Sequence, residues 1–352
     1  METSRIGRIQ KYRGEITGRL LVKLLLERDI MKHIMRDIAG LILLACTGFF
    51  QAAAAADFPD KPVTIMVPYA AGGSSDAIAR IVAKELSKKW NQAVLVDNRA
   101  GGQTVIATSA VAKARADGHT LLYTPFSWIT NQFLMKDLPY KSAELAPVTL
   151  LGRYPLALMV RADLPVNTLG ELLDYAKKAN RPLTFGVAAI GSSMHLATLE
   201  FANQTGIEII SVPYKGGSIA ALNDLMGGQI DAIFEGAVYK PHVDGRRVKA
   251  LFLGQSERMS GWALPSAPEV GLPKFGMAAW FGLMAPSDTP AAIREKIAAD
   301  VTEVLRQADV RERLAALGLI ADGMSPAQFS AFLEGERSKL GVFVERNRAQ
   351  LQ

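Results

Sequence analysis

Cysteine is all but missing: the single one among 352 residues is Cys46, and it falls in a stretch that reads as a removable leader. The rest of the chain therefore has no disulfide and no thiol chemistry. The four histidines, at positions 33, 119, 195 and 242, share no metal-ligand spacing, so no metal site is expected. The chain has no Gly-Lys-Ser/Thr phosphate loop and no G-x-G-x-x-G turn, which removes the usual nucleotide-cofactor signatures, and no cofactor is expected. A G-x-S-x-G nucleophile elbow is missing too.

Charge is absent from residues 38–56, IAGLILLACTGFFQAAAAA. Met31, Lys32, His33, Met35 and Arg36 precede this run. Together they give the basic start, apolar middle and small-residue end of a secretory signal, with cleavage after Ala56. The first thirty residues are long for such a start, so Met31 competes with Met1 as the true initiator. A retained single-span anchor is one rival, although the strongly apolar part, Ile38 to Phe50, is only thirteen residues long. A lipoprotein anchored at Cys46, through Leu43-Leu44-Ala45-Cys46, is another. All three export the remainder. Nine of the 40 Lys and Arg and five of the 34 Asp and Glu lie in residues 1–56, which leaves the remainder a net charge of +2 instead of +6. That balance gives no case for nucleic acid as a partner. Residues 57–352 are enough for two ordinary domains with their own cores, without disulfide staples.

What is present begins at Val63–Trp90. An apolar run of strand length, Val63 to Val67, lies between Pro62 and Pro68. Gly72 and Gly73 follow, and then a helix with Ile78, Ile81, Val82 and Leu86 on one face. Glycine permits positive φ and close approach of a ligand, and Ser74, Ser75 and Asp76 stand where a helix leaves its first amides unpaired. Those amides and the helix dipole suit an anion. A serine-capped tight turn is the plainer reading of this segment alone. The design recurs twice: a strand at Thr184–Ala188 leads through Gly191, Ser192 and Ser193 into a helix, and one at Ile209–Tyr214 leads through Lys215, Gly216, Gly217 and Ser218 into another. Three such strand ends converging on one ligand would offer a carboxylate the two or three aligned donors it needs.

Short apolar runs continue at Val94–Val96, Thr120–Thr124, Leu156–Val160, Ile230–Phe234 and Val248–Leu253, separated by helical patterns. Helix starts are predicted at Thr168 with Glu171 as a capping box, at Thr289 followed by Pro290, and at Ser325 with Gln328. This alternation predicts an α/β architecture of parallel strands with helices on both faces.

The stretches FPDKPVTIMVPYAAGGSSDAIAR, VDNRAGG, ADGHTLLYT, LPYKSAELAPVTLLGRYPLALMV, GSSMHLATLEF, VPYKGG, ALNDLMGGQIDAIFEG and WFGLMAPSDTP, in that order, resemble the Bug family, periplasmic substrate receptors of tripartite tricarboxylate transporters. The resemblance implies a two-lobed, Venus-flytrap binding fold with a ligand cleft between lobes. Residues 57–155 and 280–352 would form one lobe and 156–279 the other. It implies a monomer that captures a small carboxylate (a di- or tricarboxylate, an acidic amino acid or an aromatic acid) and delivers it to membrane permease subunits. By the same likeness the ligand contacts are Tyr69, Ala70, Ala71, Gly72, Gly73, Ser74 and Asp76 in the first loop, with Thr124 at a strand end. Gly191, Ser192, Ser193 and His195 match the second loop, and Tyr214, Lys215, Gly216 and Gly217 the third. Glu235 stands where members usually carry Asp.

The chain departs from the family at several places. Gln103 and Thr104 replace a Gly pair, and His119 replaces a Tyr. Leu264–Pro273 is about three residues short, and the aromatic Phe126 and Trp128 follow Thr124, where members commonly carry smaller residues. Plainer readings stand beside these: His195 as a packed or capping histidine, Lys215 as a solvated one, Phe126 and Trp128 as core. Asp76 and Glu235 could bind an ammonium group or orient a loop amide. Two other outputs compete with transport. One is signalling to a sensor kinase. The other is a hydrolase using Ser192 or Ser193 with His195, which lie too close on one helix start to build a triad.

Overall fold

The computed structural model describes residues 58–214, 217–259, 261–276 and 279–351. Residues 1–57, which include the expected leader, and Lys215 and Gly216 lie outside the described residues. Eleven strands are found among the described residues: β1 (Val63–Val67), β2 (Val94–Asn98), β3 (Thr120–Pro125), β4 (Leu145–Tyr154), β5 (Leu156–Arg161), β6 (Leu183–Val187), β7 (Ile209–Pro213), β8 (Ala232–Gly236), β9 (Val248–Leu253), β10 (Ala279–Pro286) and β11 (Ile320–Ala321). The helices that matter most are α1 (Ser74–Trp90), α2 (Val105–Ala112), α3 (Ser127–Leu134), α4 (Leu169–Lys178), α5 (Ser193–Thr205), α6 (Gly217–Met226), α7 (Ala291–Arg306) and α8 (Pro326–Arg346).

The strands form two sheets, ordered β11-β4-β10-β3-β1-β2 and β7-β6-β8-β5-β9. Each has the same parallel nucleus. In the first, β1 lies between β2 and β3; in the second, β6 lies between β7 and β8. Each nucleus is a strand–helix–strand–helix–strand run, which delivers the crossovers that parallel pairing needs. The predicted parallel strands with flanking helices are found in these nuclei, but each sheet as a whole is mixed. β10 runs antiparallel to both β3 and β4, and β5 runs antiparallel to both β8 and β9. Only Pro155 separates β4 from β5, which is too short for a crossover, so these two strands enter different sheets.

Aromatic rings fill the cores. Phe234 of β8 stacks on Phe275 with centroids 5.4 Å apart and meets Phe201 of α5 edge-on at 5.7 Å. Trp280 of β10 is buried edge-on against Phe329 of α8. Ile78, Val82 and Leu86 of α1 are buried as the apolar spacing requires. Asp231, 2% exposed, ties the second sheet together. It accepts from both Nη atoms of Arg181 at 2.7 and 2.8 Å, from Arg161 Nε at 3.3 Å, and from the Thr184 amide and hydroxyl.

Of the predicted helix starts, Ser325 and Gln328 form the full reciprocal box. Thr168 caps the Glu171 amide, but the Glu171 carboxylate accepts from Asn167 instead of closing the box. Pro290, not Thr289, is the N-cap of α7. Thr289 is buried in a turn, its amide donating to Pro286 O.

Candidate functional site

A cavity of about 750 Å³ lies where the carboxyl ends of both parallel nuclei meet, the position at which open α/β sheets bind ligands. Its walls come from the turns after β1, β2, β3, β6, β7 and β8, together with Tyr154, Leu156 and Phe281 from the antiparallel strands. Tyr69, Ala70, Ala71, Gly72, Gly73 and Ser74 all line it, and so do Ser192, Ser193, Tyr214, Gly217 and Glu235.

The first and second loops are built alike. Gly72 sits at φ +88 and Gly191 at φ +75, conformations that favour glycine. The Gly72 amide donates to Asp76 Oδ2 at 3.0 Å, and the Gly191 amide to His195 Nδ1 at 3.1 Å. In each case the residue four positions on, in the first turn of the following helix, holds the loop glycine. Asp76 is further paired with Arg80 Nε at 2.9 Å. Burial works to raise the Asp76 carboxyl, but Arg80, the Gly72 amide and Asn98 outweigh it and hold the group below its ordinary range. Burial pushes the His195 imidazole down to about 4, which keeps Nδ1 a neutral acceptor at ordinary pH. Asp76, His195 and Gly191 are thus loop-setting residues and do not line the cavity. Thr124 is fully buried in the β3–β10 pairing and does not line it either.

The helix starts around the cavity differ in how far their donors are used. Gly73 is the N-cap of α1 and brings no side-chain cap, so the first-turn amides of α1 are open to an occupant. Ser192 caps α5 through His195 N, and its own hydroxyl donates to Ala189 O at 2.7 Å. Tyr214 donates to Asp224 Oδ2 at 2.7 Å. Among the described lining residues there is no Lys, Arg, His or Asp. The only carboxyl among the described wall residues is Glu235, 4% exposed, whose Oε1 accepts from Gly236 N at 3.0 Å while Oε2 has no hydrogen-bond partner. Tyr154 lies over Gly236, where a Cβ would run into its ring. No sequence signal singled out Tyr154 or Tyr239; both reach the cavity through chain reversals.

Of the family departures, Gln103 and Thr104 line the cavity, while His119 does not. His119 sits at the opposite end of β3, its Nε2 2.9 Å from Asp60. None of residues 264–273 lines the cavity. Phe126 lines it yet packs edge-on against Trp280, and Trp128 is core. Gln103 and Thr104 keep φ of +51 and +79 without being glycine. Asn131 Nδ2 holds this turn, donating to Gln103 O at 2.7 Å and to Thr104 Oγ1 at 3.3 Å. Gln103→Gly is expected to stabilise the fold by up to about 1 kcal/mol, since relief of left-handed strain outweighs the glycine's added unfolded-state entropy. A raised denaturant midpoint at constant slope checks this; a lowered midpoint would show that the side chain has a partner worth more than the strain.

The chain has counterparts among known proteins. Residues 78–348 match the sequence profile of the tripartite tricarboxylate transporter family receptor. The chain is 34% identical over 317 residues to protein BugT of Bordetella pertussis, covering 88% of this chain and 97% of BugT. Among solved structures, Rpa4515 of R. palustris with adipate is 33% identical with a TM-score of 0.76, over 82% of this chain and 98% of that one. MatC of Rhodopseudomonas palustris with bound malate is 32% identical with a TM-score of 0.72, over 82% of this chain and all (100%) of the other.

Proposed function

The chain belongs to the tripartite tricarboxylate transporter receptor family, and from that premise we propose that it captures a small carboxylate in its inter-sheet cavity and passes it to membrane permease subunits. The family is one of periplasmic solute-binding receptors, not enzymes. With His195 Nδ1 taken by the Gly191 amide, His195 is not free to act as the base for Ser192 or Ser193 in a hydrolytic role. The observation that carries the reading is the uncapped start of α1, which lies with the starts of α5 and α6 on a cavity whose described walls hold no cation. Such donors make charge-assisted bonds worth about 1.5–3 kcal/mol each. Three or four of them, less ordering costs, reach the roughly −8 kcal/mol of a micromolar complex. The relatives bound to adipate and malate support the same ligand class. In this reading residues 57–155 and 280–352 form one lobe and 156–279 the other, the cavity lies between them, and residues 1–56 are removed on export.

A thermal-shift screen against adipate, malate, citrate, glutamate and benzoate tests the proposal. At a hundred times its dissociation constant a true ligand adds about 2.7 kcal/mol of stability, a rise of several degrees for a protein of this size. A panel in which no member moves the midpoint would sink the carboxylate reading. Protein recovered from the periplasm serves best, because its first residue reports at once whether cleavage falls after Ala56.

A further inference from the structure

Glu235 is buried at the end of β8 in the wall of the cavity, and its Oε2 has no hydrogen-bond partner. The groups around it come from every neighbouring element. β5 presents Ala157 opposite it, and α6 presents Ser218. The titratable neighbours are the phenols of Tyr154, from the end of β4, and Tyr239, from the turn after β8. His195, on the helix that packs against β8, is neutral. Among the described residues no cation is placed to balance an ionised Glu235. An unpaired buried carboxylate is costly, and the acid form instead carries an O–H that needs an acceptor. The cavity that Glu235 helps to wall has room for that acceptor.

We propose that Glu235 meets the ligand as a neutral acid, its carboxyl O–H donating to a carboxylate oxygen of the bound molecule, so that loading the receptor takes up a proton. This rests on the carboxylate reading above. An O–H···O⁻ bond of this kind is short and strong, and it tells carboxylates from neutral isosteres without a basic residue. Burial already pushes the Glu235 carboxyl up to about 7, against the opposing pull of the Gly236 amide and the Ser218 hydroxyl. A bound carboxylate raises it further, because two ionised carboxylates cannot share the site at ordinary pH. Below about pH 7 the free receptor is already protonated and affinity is flat. Above it each pH unit weakens capture by about tenfold, since the proton must be supplied from solvent.

The test is calorimetry with the panel member that gives the largest thermal shift, in two buffers of different ionisation enthalpy, from about pH 6 to pH 9. The expected result is an affinity that falls about tenfold per unit between about pH 8 and 9, with uptake approaching one proton per ligand there. Glu235→Gln, which offers an amide donor but cannot titrate, is expected to abolish the uptake and flatten the profile. Binding that is independent of pH, with no proton uptake, overturns the proposal and leaves the carboxylate reading standing. Affinity that rises with pH and selects glutamate over adipate overturns it in favour of an ionised Glu235 paired with an ammonium group. Failure of every panel carboxylate to bind at any pH overturns both. The proton count on the unmodified protein decides the matter even if the variant does not fold.

Discussion

Gly73→Val is expected to abolish measurable carboxylate binding, a loss of at least about a hundredfold, while the protein stays folded. The backbone at Gly73 has φ −82 and ψ 172, an extended conformation open to any residue. A Cβ there would meet only Ala70 O, at 3.8 Å, so the fold loses no more than about 1 kcal/mol from the poorer helix cap. The valine methyls would stand in the cavity in front of the first amides of α1. A ligand carboxylate held by those amides would lose two charge-assisted bonds at once, about 3 kcal/mol or more. Gly72→Val is the wrong test, because φ +88 at that position would add backbone strain to the steric block. Calorimetry against the best panel ligand, alongside a thermal melt, reads the outcome. Unimpaired binding by a folded Gly73→Val protein would mean that the ligand sits elsewhere in the cavity.

The largest expected effect on stability belongs to Asp231→Ala, at about 3 kcal/mol. Removing this carboxylate leaves Arg161 and Arg181 facing each other without their counter-charge and strips the Thr184 amide and hydroxyl of their acceptor. Burial alone would raise the Asp231 carboxyl, but Arg181 and the Thr184 donors override it and bring the group down to about 2. A carboxyl lowered in the folded state contributes stability above its unfolded value of about 3.9, and that contribution is lost as pH falls through about 2. The gap between wild type and variant should therefore be full at neutral pH and should close between about pH 4 and pH 2. Urea melts across that range check both the size and the sign. A gap that is the same at pH 7 and pH 2 would show that lost packing, not charge, carries the effect.

The parallel nuclei were legible in the sequence because their strands are short apolar runs, most of them closed by proline or glycine at or just past the strand end. Tyr69–Ser74, Ser192, Ser193, Tyr214 and Gly217 could be placed on the cavity for the same reason: loops after parallel strands point one way. β4 and β10 escaped notice. β4 carries Pro147 and Gly152 inside its run, and β10 is buried along its whole length, so neither shows the alternation that marks a half-exposed strand. Their pairing also joins residues far apart in sequence, such as Phe281 with Gly152. Asp76 and His195 stand beside the right loops, yet their acceptors are used on Gly72 and Gly191. Only hydrogen-bond geometry separates a residue that shapes a loop from one that touches what the loop holds. The unpartnered oxygen of Glu235 was equally beyond sequence, because burial comes from the neighbours that the fold brings in.

The order of strands in the two sheets dictates an order of assembly. All five strands of the second sheet come from residues 156–253, one uninterrupted segment. It can close as soon as that segment is free to fold, and its contacts are comparatively local. The first sheet cannot: β10 is wedged between β3 and β4, although it follows them by more than a hundred residues. Until β10 arrives, β3 and β4 each present an open strand edge, the kind of surface on which chains aggregate. A protein that emerges from a membrane pore N-terminus first would hold those edges exposed for the whole time its second sheet is being delivered. Destabilising changes in β10 should therefore trap the chain during biogenesis more severely than their cost to the finished fold would suggest.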